Sequence, residues 1–373
     1  MLPTDSKINS AALTAVFNST TNSYKYFFML GVLYHSKKSG KGGSIEIELL
    51  DLASEMLLMA GFFIFNFKIS LGRQDKLLAI LTRFLEDTKT SETTFVKRSD
   101  REQLRRELKQ WLLENKKAKD AVLKYVPYRF LTPFFANELA RLRDNKKNSA
   151  IIDLACKYFD SRKPLYKIDI KKECIVIHSD WSRYLNENVG ILEGWVGWEL
   201  GQYFQSRNPS LPAIPLKIQA WFKGGRAGMQ MQREYWQRIL QEMKGRKCFY
   251  SDGKLDNFSL DHFLPWSYVG HNRLWNLIPV LKEVNSSKGN KLPDMNQYLG
   301  RFIRKQHFGI VTSKELFTER RWENFMEPFI DDFKLSDYGK LLDKKVLDEA
   351  YRSAMLPQAQ IAENYGFTPG WRV

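Results

Sequence analysis

The chain has 373 residues, of which 43% are hydrophobic and 14% aromatic, and its formal net charge is +16. This composition supports a sizeable core and argues against a disordered chain; the positive charge favours contact with nucleic acid or an anionic membrane surface, with charge that only keeps the protein soluble as the alternative. The three cysteines are widely spaced and form no Cys-x-x-Cys pair, which argues against a disulfide framework and against a four-cysteine zinc site.

The N-terminal region is predicted to form buried helices. Residues 11–35 are rich enough in apolar side chains for one or two of them. The segment 39–44, "SGKGGS", lacks the spacing of a Walker motif and is predicted to be a surface loop. The run "MLLMAGFFIFNF" at 56–67 is too short to cross a bilayer and is predicted to lie in the core. Because the N-terminus also lacks the features of a secretory signal, we expect a cytoplasmic protein without a membrane segment.

Residues 99–113, "SDREQLRRELKQWLL", predict an amphipathic helix. Ser99 and Glu102 have the spacing of a capping box, in which two side chains satisfy backbone N–H groups at the start of a helix. The apolar positions that share one face are Leu104, Leu108, Trp111 and Leu112. Arg105 and Arg106 lie largely outside this face, so they are candidates for contact with nucleic-acid phosphates, and a solvated helix face is the alternative.

A small β element and a linker complete the first part of the chain. Residues 164–178 alternate in the manner of one or two strands. Residues 193–204 predict a helix whose aromatic side chains pack in a core. The segment 207–215, "RNPSLPAIP", holds three prolines and is predicted to be a linker. We therefore expect a mostly helical domain at residues 1–215, which binds DNA, senses an effector or docks a protein partner.

Residues 259–293, which begin "SLDHFLPWS", place polar side chains on a series of short elements. A strand that ends in Asp261 and His262 is followed by a loop, and a second apolar segment, "LWNLIPV", carries Asn276. A helix start with further polar residues follows. Because adjacent residues of a strand face opposite ways, Asp261 and His262 can act on one group only where the strand ends or twists. Pro265 is consistent with such an end.

This order of strand, loop, strand and helix resembles the HNH family of nucleases. Three segments carry the resemblance in register, namely the Asp-His pair, "NLIP" and "NSSKGNK". The resemblance covers about residues 246–295 and implies a ββα-metal core. We therefore predict an α+β fold with a mostly helical N-terminal domain, then a nuclease domain at 216–300 flanked by helices, and a helical C-terminal extension at 301–373.

Phosphodiester hydrolysis requires an activated water and a cation that neutralises the charge developing on the phosphate. A histidine is a suitable base because its pKa lies near neutral pH, and carboxylate and amide oxygens suit a hard cation. The resemblance implies that His262 activates the water and that Asp261 and Asn285 hold one divalent metal ion, Mg²⁺ or Mn²⁺. It also implies that Glu283 supplies a further carboxylate to the metal or its waters.

The resemblance implies two more roles and one absence. Asn276 matches the family's middle asparagine, which braces the first loop and so orients the catalytic histidine. Lys288 is placed to contact phosphate or the leaving oxygen. Many members hold this small core together with two Cys-x-x-Cys pairs, whereas Cys248 stands alone here, so we expect no structural zinc.

Basic and polar residues around this core are predicted to contact nucleic acid, because contacts to phosphates dominate the affinity of proteins for nucleic acid. The candidates are His271, Arg273, Arg301, Arg304 and Lys305. The sequence thus predicts a metal-dependent endonuclease that acts foremost on double-stranded DNA and serves in restriction or antiviral defence. RNA cleavage is one alternative. A non-catalytic nucleic-acid-binding subunit is another, and the complete Asp-His-Asn-Asn set argues against it.

Overall fold

Most of the described chain is helical, as its apolar residues at three- and four-residue spacing predict. The computed structural model describes residues 2–39, 43–243 and 246–373. They form two units, one that ends at Pro209 and one from Ser210 to Val373, and the division lies inside the proline-containing segment 207–215. The short strands form a three-stranded and a two-stranded sheet, so the predicted α+β class with mostly helical content is confirmed.

The first unit joins a set of helices to the three-stranded sheet. Its helices are α1 (Ser10–Thr14), α2 (Tyr24–Ser39), α3 (Leu49–Phe67), α4 (Leu77–Thr88), α5 (Arg101–Glu114), α6 (Lys116–Leu123), α7 (Val126–Arg129), α8 (Ala136–Leu139), α9 (Asp144–Lys157), α10 (Ser179–Glu187) and α11 (Val189–Arg207). Its strands are β1 (Ile45–Glu48), β2 (Tyr166–Asp169) and β3 (Cys174–Ile177). The loop predicted at 39–44 lies largely outside the described residues.

Helix α3 runs through the core of the first unit. It is long and apolar enough to cross a membrane, but 94% of its apolar window is buried inside the protein. The prediction that residues 56–67 lie in the core is confirmed, although the helix begins earlier, at Leu49. Burial, not length, therefore identifies α3 as a core helix. Gly61 permits a close approach, since a Cβ there would lie 2.2 Å from the ring of Phe95.

Helix α5 packs against α3 and has the predicted apolar face, since all four of its predicted core residues are buried. The predicted capping box is wrong. The helix begins at Arg101, and the Ser99 hydroxyl donates a hydrogen bond to the Asp100 carboxylate (2.6 Å). A short polar side chain next to Ser99 thus competes with the backbone for its hydroxyl group.

Strand β3 is the middle strand of the three-stranded sheet, antiparallel to both β1 and β2. Its Ile177 lies opposite Ile45 on one side and Tyr166 on the other. All four residues of β3 are buried, as expected of a strand paired on both edges. The strands predicted within 164–178 are therefore confirmed.

Helix α11 contains the predicted helix at 193–204, but one of its tryptophans faces solvent. The side chains of Tyr203 and Phe204 are buried, whereas Trp198 is 65% exposed. The buried residues of α11 follow a stripe at three- and four-residue spacing that passes through Val196 and Leu200 and leaves Trp198 outside it. The prediction that the aromatic residues of this helix pack in a core is therefore wrong for Trp198.

The second unit consists of a two-stranded sheet and seven α-helices among its described residues. Its helices are α12 (Ile214–Lys223), α13 (Gln230–Glu242), α14 (Trp266–Val269), α15 (Lys282–Lys288), α16 (Met295–Leu316), α17 (Glu319–Phe333) and α18 (Lys344–Asn364). Its strands are β4 (Ser259–His262) and β5 (Leu277–Val280), and a short 3₁₀ helix, Leu274–Asn276, precedes β5. The mainly helical C-terminal segment is confirmed, and α16 runs without a break past residue 300.

Strands β4 and β5 pair antiparallel, with Asp261 opposite Ile278 and His262 opposite Leu277. All four residues of β5 are buried. Helix α16 covers this sheet: the Gln306 side-chain amide donates to the Leu277 carbonyl (2.7 Å), and Phe302 stacks on Phe263, the residue after β4. The C-terminal helices therefore supply the packing that holds the end of β4 in place.

A tight turn precedes β4, in the segment 244–255, "KGRKCFYSDGKL", whose Asp252 and Gly253 predict the turn of a hairpin. Asp252 has a left-handed backbone (φ 57°), and the Cys248 N–H donates to the Gly253 carbonyl (2.8 Å). Lys247 and Lys254 form a single antiparallel bridge. Residues 244 and 245 of the predicted hairpin lie outside the described residues. The predicted turn at Asp252 is confirmed, with one bridge in place of a full hairpin.

Candidate active site

The predicted site residues Asp261 and His262 lie at the end of β4, and both are buried. The strand ends at His262, as Pro265 in the following loop predicts. The two side chains have separate hydrogen-bond partners: Asp261 contacts Tyr250 and Lys288, whereas His262 contacts Asn272. The alternation of strand side chains therefore persists to the last residue of β4.

Asp261 accepts a hydrogen bond at each carboxylate oxygen. The Tyr250 hydroxyl donates to Oδ2 (2.9 Å), and Lys288 Nζ donates to Oδ1 (3.0 Å). Burial raises the pKa of Asp261, while the charge of Lys288 and the two hydrogen bonds oppose that rise. The carboxylate is thus dehydrated but has a counter-ion, which is the condition under which a buried charge is tolerated.

Lys288 lies deeper than the sequence predicts. Its side chain has no exposed surface, and Nζ donates to the Asp261 carboxylate and to the His262 carbonyl (2.7 Å). Burial lowers its pKa, and the attraction of Asp261 opposes the change. The predicted contact with phosphate or the leaving oxygen does not agree with this placement, because a lysine at the end of a short helix has turned inward to brace the end of β4.

The imidazole of His262 is oriented by Asn272. The Asn272 amide Nδ2 donates to the Ala227 carbonyl (2.8 Å), so its Oδ1 is the atom that meets His262 Nε2 (2.9 Å). Because Oδ1 can only accept, His262 must carry its proton on Nε2, and the lone pair of Nδ1 becomes the proton acceptor. Burial and then the charge of Arg226 lower the pKa of His262 to about 3, so the ring is neutral at pH 7.

Asn276 fastens the loop that follows β4. Its Oδ1 accepts from the Leu264 N–H and its Nδ2 donates to the Leu264 carbonyl, each over 2.8 Å. The side chain of Asn276 is fully buried, and the backbone carbonyl of Asn276 accepts from the Phe263 N–H (2.8 Å). Three hydrogen bonds therefore tie the residues after His262 to the start of β5.

Helix α15 carries Glu283 and Asn285. Asn285 Nδ2 donates to the Ser259 hydroxyl (2.8 Å), and its Oδ1 accepts no hydrogen bond from the part of the chain that the structure describes. Glu283 is exposed. Mg²⁺ is bound by one or two carboxylates and several waters, and each Asp261 oxygen keeps a second lone pair. The carboxylate of Asp261 and the amide oxygen of Asn285 are therefore donors of the chemical type that a hard cation prefers.

Three residues of this site were missed from sequence. Tyr250 and Asn272 lie inside the segment with the family resemblance, and Asn272 directly follows the predicted His271. Arg226 lies between α12 and α13, in "KGGRAG", where its guanidinium stacks on Trp266 (4.7 Å) and its charge acts on Asp261 and His262. A glycine-rich run with one arginine is the signal that could have found it.

The candidates for nucleic-acid contact have different surroundings. His271 and Arg273 lie in the loop beside Asn272, where His271 Nδ1 accepts from the Arg273 N–H (3.2 Å). Arg301 pairs with Asp252, and Lys305 Nζ donates to the Met243 sulfur (2.9 Å). The exposed candidates are Arg304 and Arg106. Lys305 and Arg301 are therefore partly occupied by other residues of the second unit.

Arg105 does not agree with the predicted phosphate contact. Its side chain is 12% exposed and pairs with the buried Glu55 of α3 and with Glu102. It also stacks on Tyr34 (4.5 Å). Glu55, fifty residues away in the sequence, neutralises it, and a sequence pattern confined to α5 does not show this partner.

Cys248 lies in the core of the second unit, and its sulfur accepts from the Leu281 N–H (3.4 Å). Among residues 2–39, 43–243 and 246–373, no group of three or more His, Cys, Asp and Glu side chains could hold a metal ion. Asn285, whose amide oxygen is a candidate ligand, is not one of these four residue types.

The site lies within a segment that is similar to a known family. Residues 248–294 match the family described as HNH endonuclease. The chain carries an HNH endonuclease domain. This match confirms the predicted resemblance and identifies the protein as an endonuclease, with a nucleic acid as its substrate and metal-dependent chemistry. No curated protein and no solved structure matches the chain.

Proposed function

We propose that the HNH domain hydrolyses DNA, foremost double-stranded DNA, with His262 as the general base. The observation that carries the proposal is the hydrogen bond between His262 Nε2 and Asn272 Oδ1, within a segment that matches the HNH family. It places the proton of the imidazole on Nε2 and leaves Nδ1 to accept one from water. The lowered pKa of His262 keeps the ring neutral at pH 7, and it also makes the imidazole a weaker base than a solvent-exposed histidine.

Other residues hold His262 and the phosphate in place. Asp261 and Asn285 would hold Mg²⁺ or Mn²⁺, which, when bound, supplies the positive charge that the phosphate needs as it is attacked. Glu283, exposed on the same helix, adds negative charge near the waters of such an ion. Asn276 keeps the loop after His262 closed, and Lys288 fixes the backbone of His262 from within.

The surroundings of the domain support a wider proposal. Residues 1–215 would form a recognition or regulatory domain that contacts nucleic acid or a partner, residues 216–300 the nuclease domain, and residues 301–373 a helical extension. Arg106 and Arg304 are exposed and would contact phosphates. The protein would act in the cytoplasm, in restriction or antiviral defence.

The test is cleavage of plasmid DNA and of RNA by the full chain, with Mg²⁺ or with EDTA, beside His262→Ala. We expect cleavage of DNA that EDTA and His262→Ala both abolish. His307→Ala is the matched control, because His307 also lies in the second unit and its Nε2 meets the Leu342 carbonyl (2.9 Å). Cutting by His262→Ala or in EDTA would contradict the proposal, and cutting of RNA alone would replace DNA as the substrate.

A further inference from the structure

A cavity of about 520 Å³ lies in the second unit next to the proposed base. Asn272 forms part of its wall, and the same side chain meets His262 Nε2 (2.9 Å). The glycine-rich segment between α12 and α13 forms another part, and its Ala227 carbonyl holds Asn272 in place (2.8 Å). A molecule in the cavity is therefore separated from the catalytic histidine by one side chain.

The charge of the cavity wall favours an anion. Lys223, Arg226 and Arg273 line the cavity, and none of the described residues in its wall is an aspartate or a glutamate. Arg273 also forms an ion pair with Asp332, in which Nε lies 3.5 Å from Oδ2. Lys223 is exposed at the end of α12. Lys223 and Arg226 thus add positive charge to a wall without a carboxylate among its described residues, and such a wall is typical of sites that take a phosphate group.

The rest of the wall suits a flat, partly apolar group. The Arg226 guanidinium lies over Trp266 at 4.7 Å, which forms a layered cation and ring of the kind on which bases stack. Met231 and Phe325 add apolar surface. Burial lowers the pKa of His271 to about 4, so its ring is neutral and can hydrogen-bond to a base edge.

We propose that this cavity binds one unpaired nucleotide of the substrate strand, next to the phosphate that is cut. The inference rests on the proposed nuclease function and adds a substrate preference to it. A phosphate with a planar, hydrogen-bonding base combines the properties that the wall recognises. A base inside a duplex cannot enter such a cavity, so the nucleotide must be single-stranded, mismatched or extruded from the duplex. The preferred substrate is thus a DNA duplex in which one nucleotide at the cut is mismatched or extruded.

The variants that test this change the cavity without touching His262 or its partners. Gly228 lines the cavity, and a Cβ built there meets no atom within 4 Å, so Gly228→Phe adds a ring without backbone strain. Lys223→Gln removes a cation from the same wall and serves if the first variant fails to fold. Gly194→Phe is the matched control, since Gly194 is exposed on α11 and equally open.

The first measurement is the cleavage rate of three labelled DNAs of one sequence: fully paired, with one mismatch, and single-stranded. We expect the wild-type protein to cut the mismatched duplex faster than the paired duplex by about tenfold, the size of one base-stacking contact. Gly228→Phe should lose this ratio, and Gly194→Phe should keep it. Equal rates on the paired and the mismatched duplex, or a ratio that Gly228→Phe retains, would overturn the inference.

A second measurement separates this inference from the proposed function. Calorimetric titration of His262→Ala with deoxyadenosine 5′-monophosphate should show binding that Gly228→Phe in the same background weakens by about tenfold. If no protein cleaves any DNA but this binding behaves as expected, the nuclease proposal fails and the nucleotide site stands. No binding, or binding that Gly228→Phe leaves unchanged, overturns the site itself.

Discussion

Each unit of this protein buries a carboxylate beside a cation, and the two pairs differ in how far they are removed from water. In the first unit, Glu55 meets Arg105, whose side chain is 12% exposed and reaches a second partner, Glu102, at the surface. In the second unit, Asp261 and Lys288 are 3% and 0% exposed.

The difference lies in what each cation holds. Arg105 joins two helices, and its side chain is partly exposed to water. If Arg105 is removed, water can therefore solvate the charge of Glu55 in its place. Lys288 also donates to the His262 carbonyl, so the second pair fixes the end of β4, where Asp261 and His262 lie. Because dehydrating two charges is expensive, a pair this deep is weak evidence of stability and better evidence of positioning.

Lys288→Met should produce the largest effect on stability. It leaves the Asp261 carboxylate buried without a counter-ion, which costs about 3–5 kcal/mol of unfolding free energy. Chemical denaturation in EDTA measures it, with Lys291→Met as control because Lys291 is exposed three residues away. Asp261→Asn combined with Lys288→Met should recover part of the loss. If the single variant is as stable as the control, the pair carries no positioning role.

Asn272→Ala tests positioning by hydrogen bond instead of charge. The variant frees the His262 ring to adopt either tautomer, and we expect kcat to fall by about 10- to 100-fold, the usual loss when the group that orients a histidine is removed. KM should change little, because Asn272 orients the base and both ends of its amide are already bonded. Gln219→Ala is the control on the same cavity wall. A fall in stability with unchanged kcat would contradict the role.

The sequence predicts the elements of the site better than its depth. Asp261 and His262 could be placed at the end of a strand, Asn276 in the second apolar segment, and Asn285 at the start of a helix. Each of these residues lies inside a short local pattern that specifies its element. Contacts between segments far apart in sequence are not local. Asn272 owes its orientation to Ala227, and this partner appears only when the connection between α12 and α13 folds against the loop after β4.

The same reason explains why the burial of two basic residues is not evident from the sequence. Lys288 and Arg105 each lie on a helix with a basic neighbourhood, and such a helix is usually solvated. What buries them is a carboxylate on another element, Asp261 for one and Glu55 for the other. A charge count along the chain contains no information about such a partner.

Arg105→Met should destabilise the first unit less than Lys288→Met destabilises the second. Glu55 loses its counter-ion, but it lies near an edge that water reaches once the guanidinium is gone, so we expect a loss of about 1–3 kcal/mol. Denaturation measures the loss, with the exposed Arg106→Met as control. A loss as large as that of Lys288→Met would remove the distinction between the two pairs.

Lys217 gives an effect on stability that depends on pH. It is fully buried on α12, donates to the Pro212 and Tyr268 carbonyls, and burial lowers its pKa from 10.5 to about 7. Between these values the unfolded chain binds one more proton than the folded one, so stability rises with pH, by at most about 1.4 kcal/mol per pH unit.

Lys217→Met lacks this proton, so the difference in unfolding free energy between the wild type and the variant should move in favour of the wild type as pH rises through that window. The loss of two hydrogen bonds in the variant shifts the difference by a constant and does not change its slope. Denaturation of both proteins at three pH values measures the slope. A flat difference would mean that the carbonyls keep Lys217 charged and that hydrogen bonds alone can hold a buried cation in this unit.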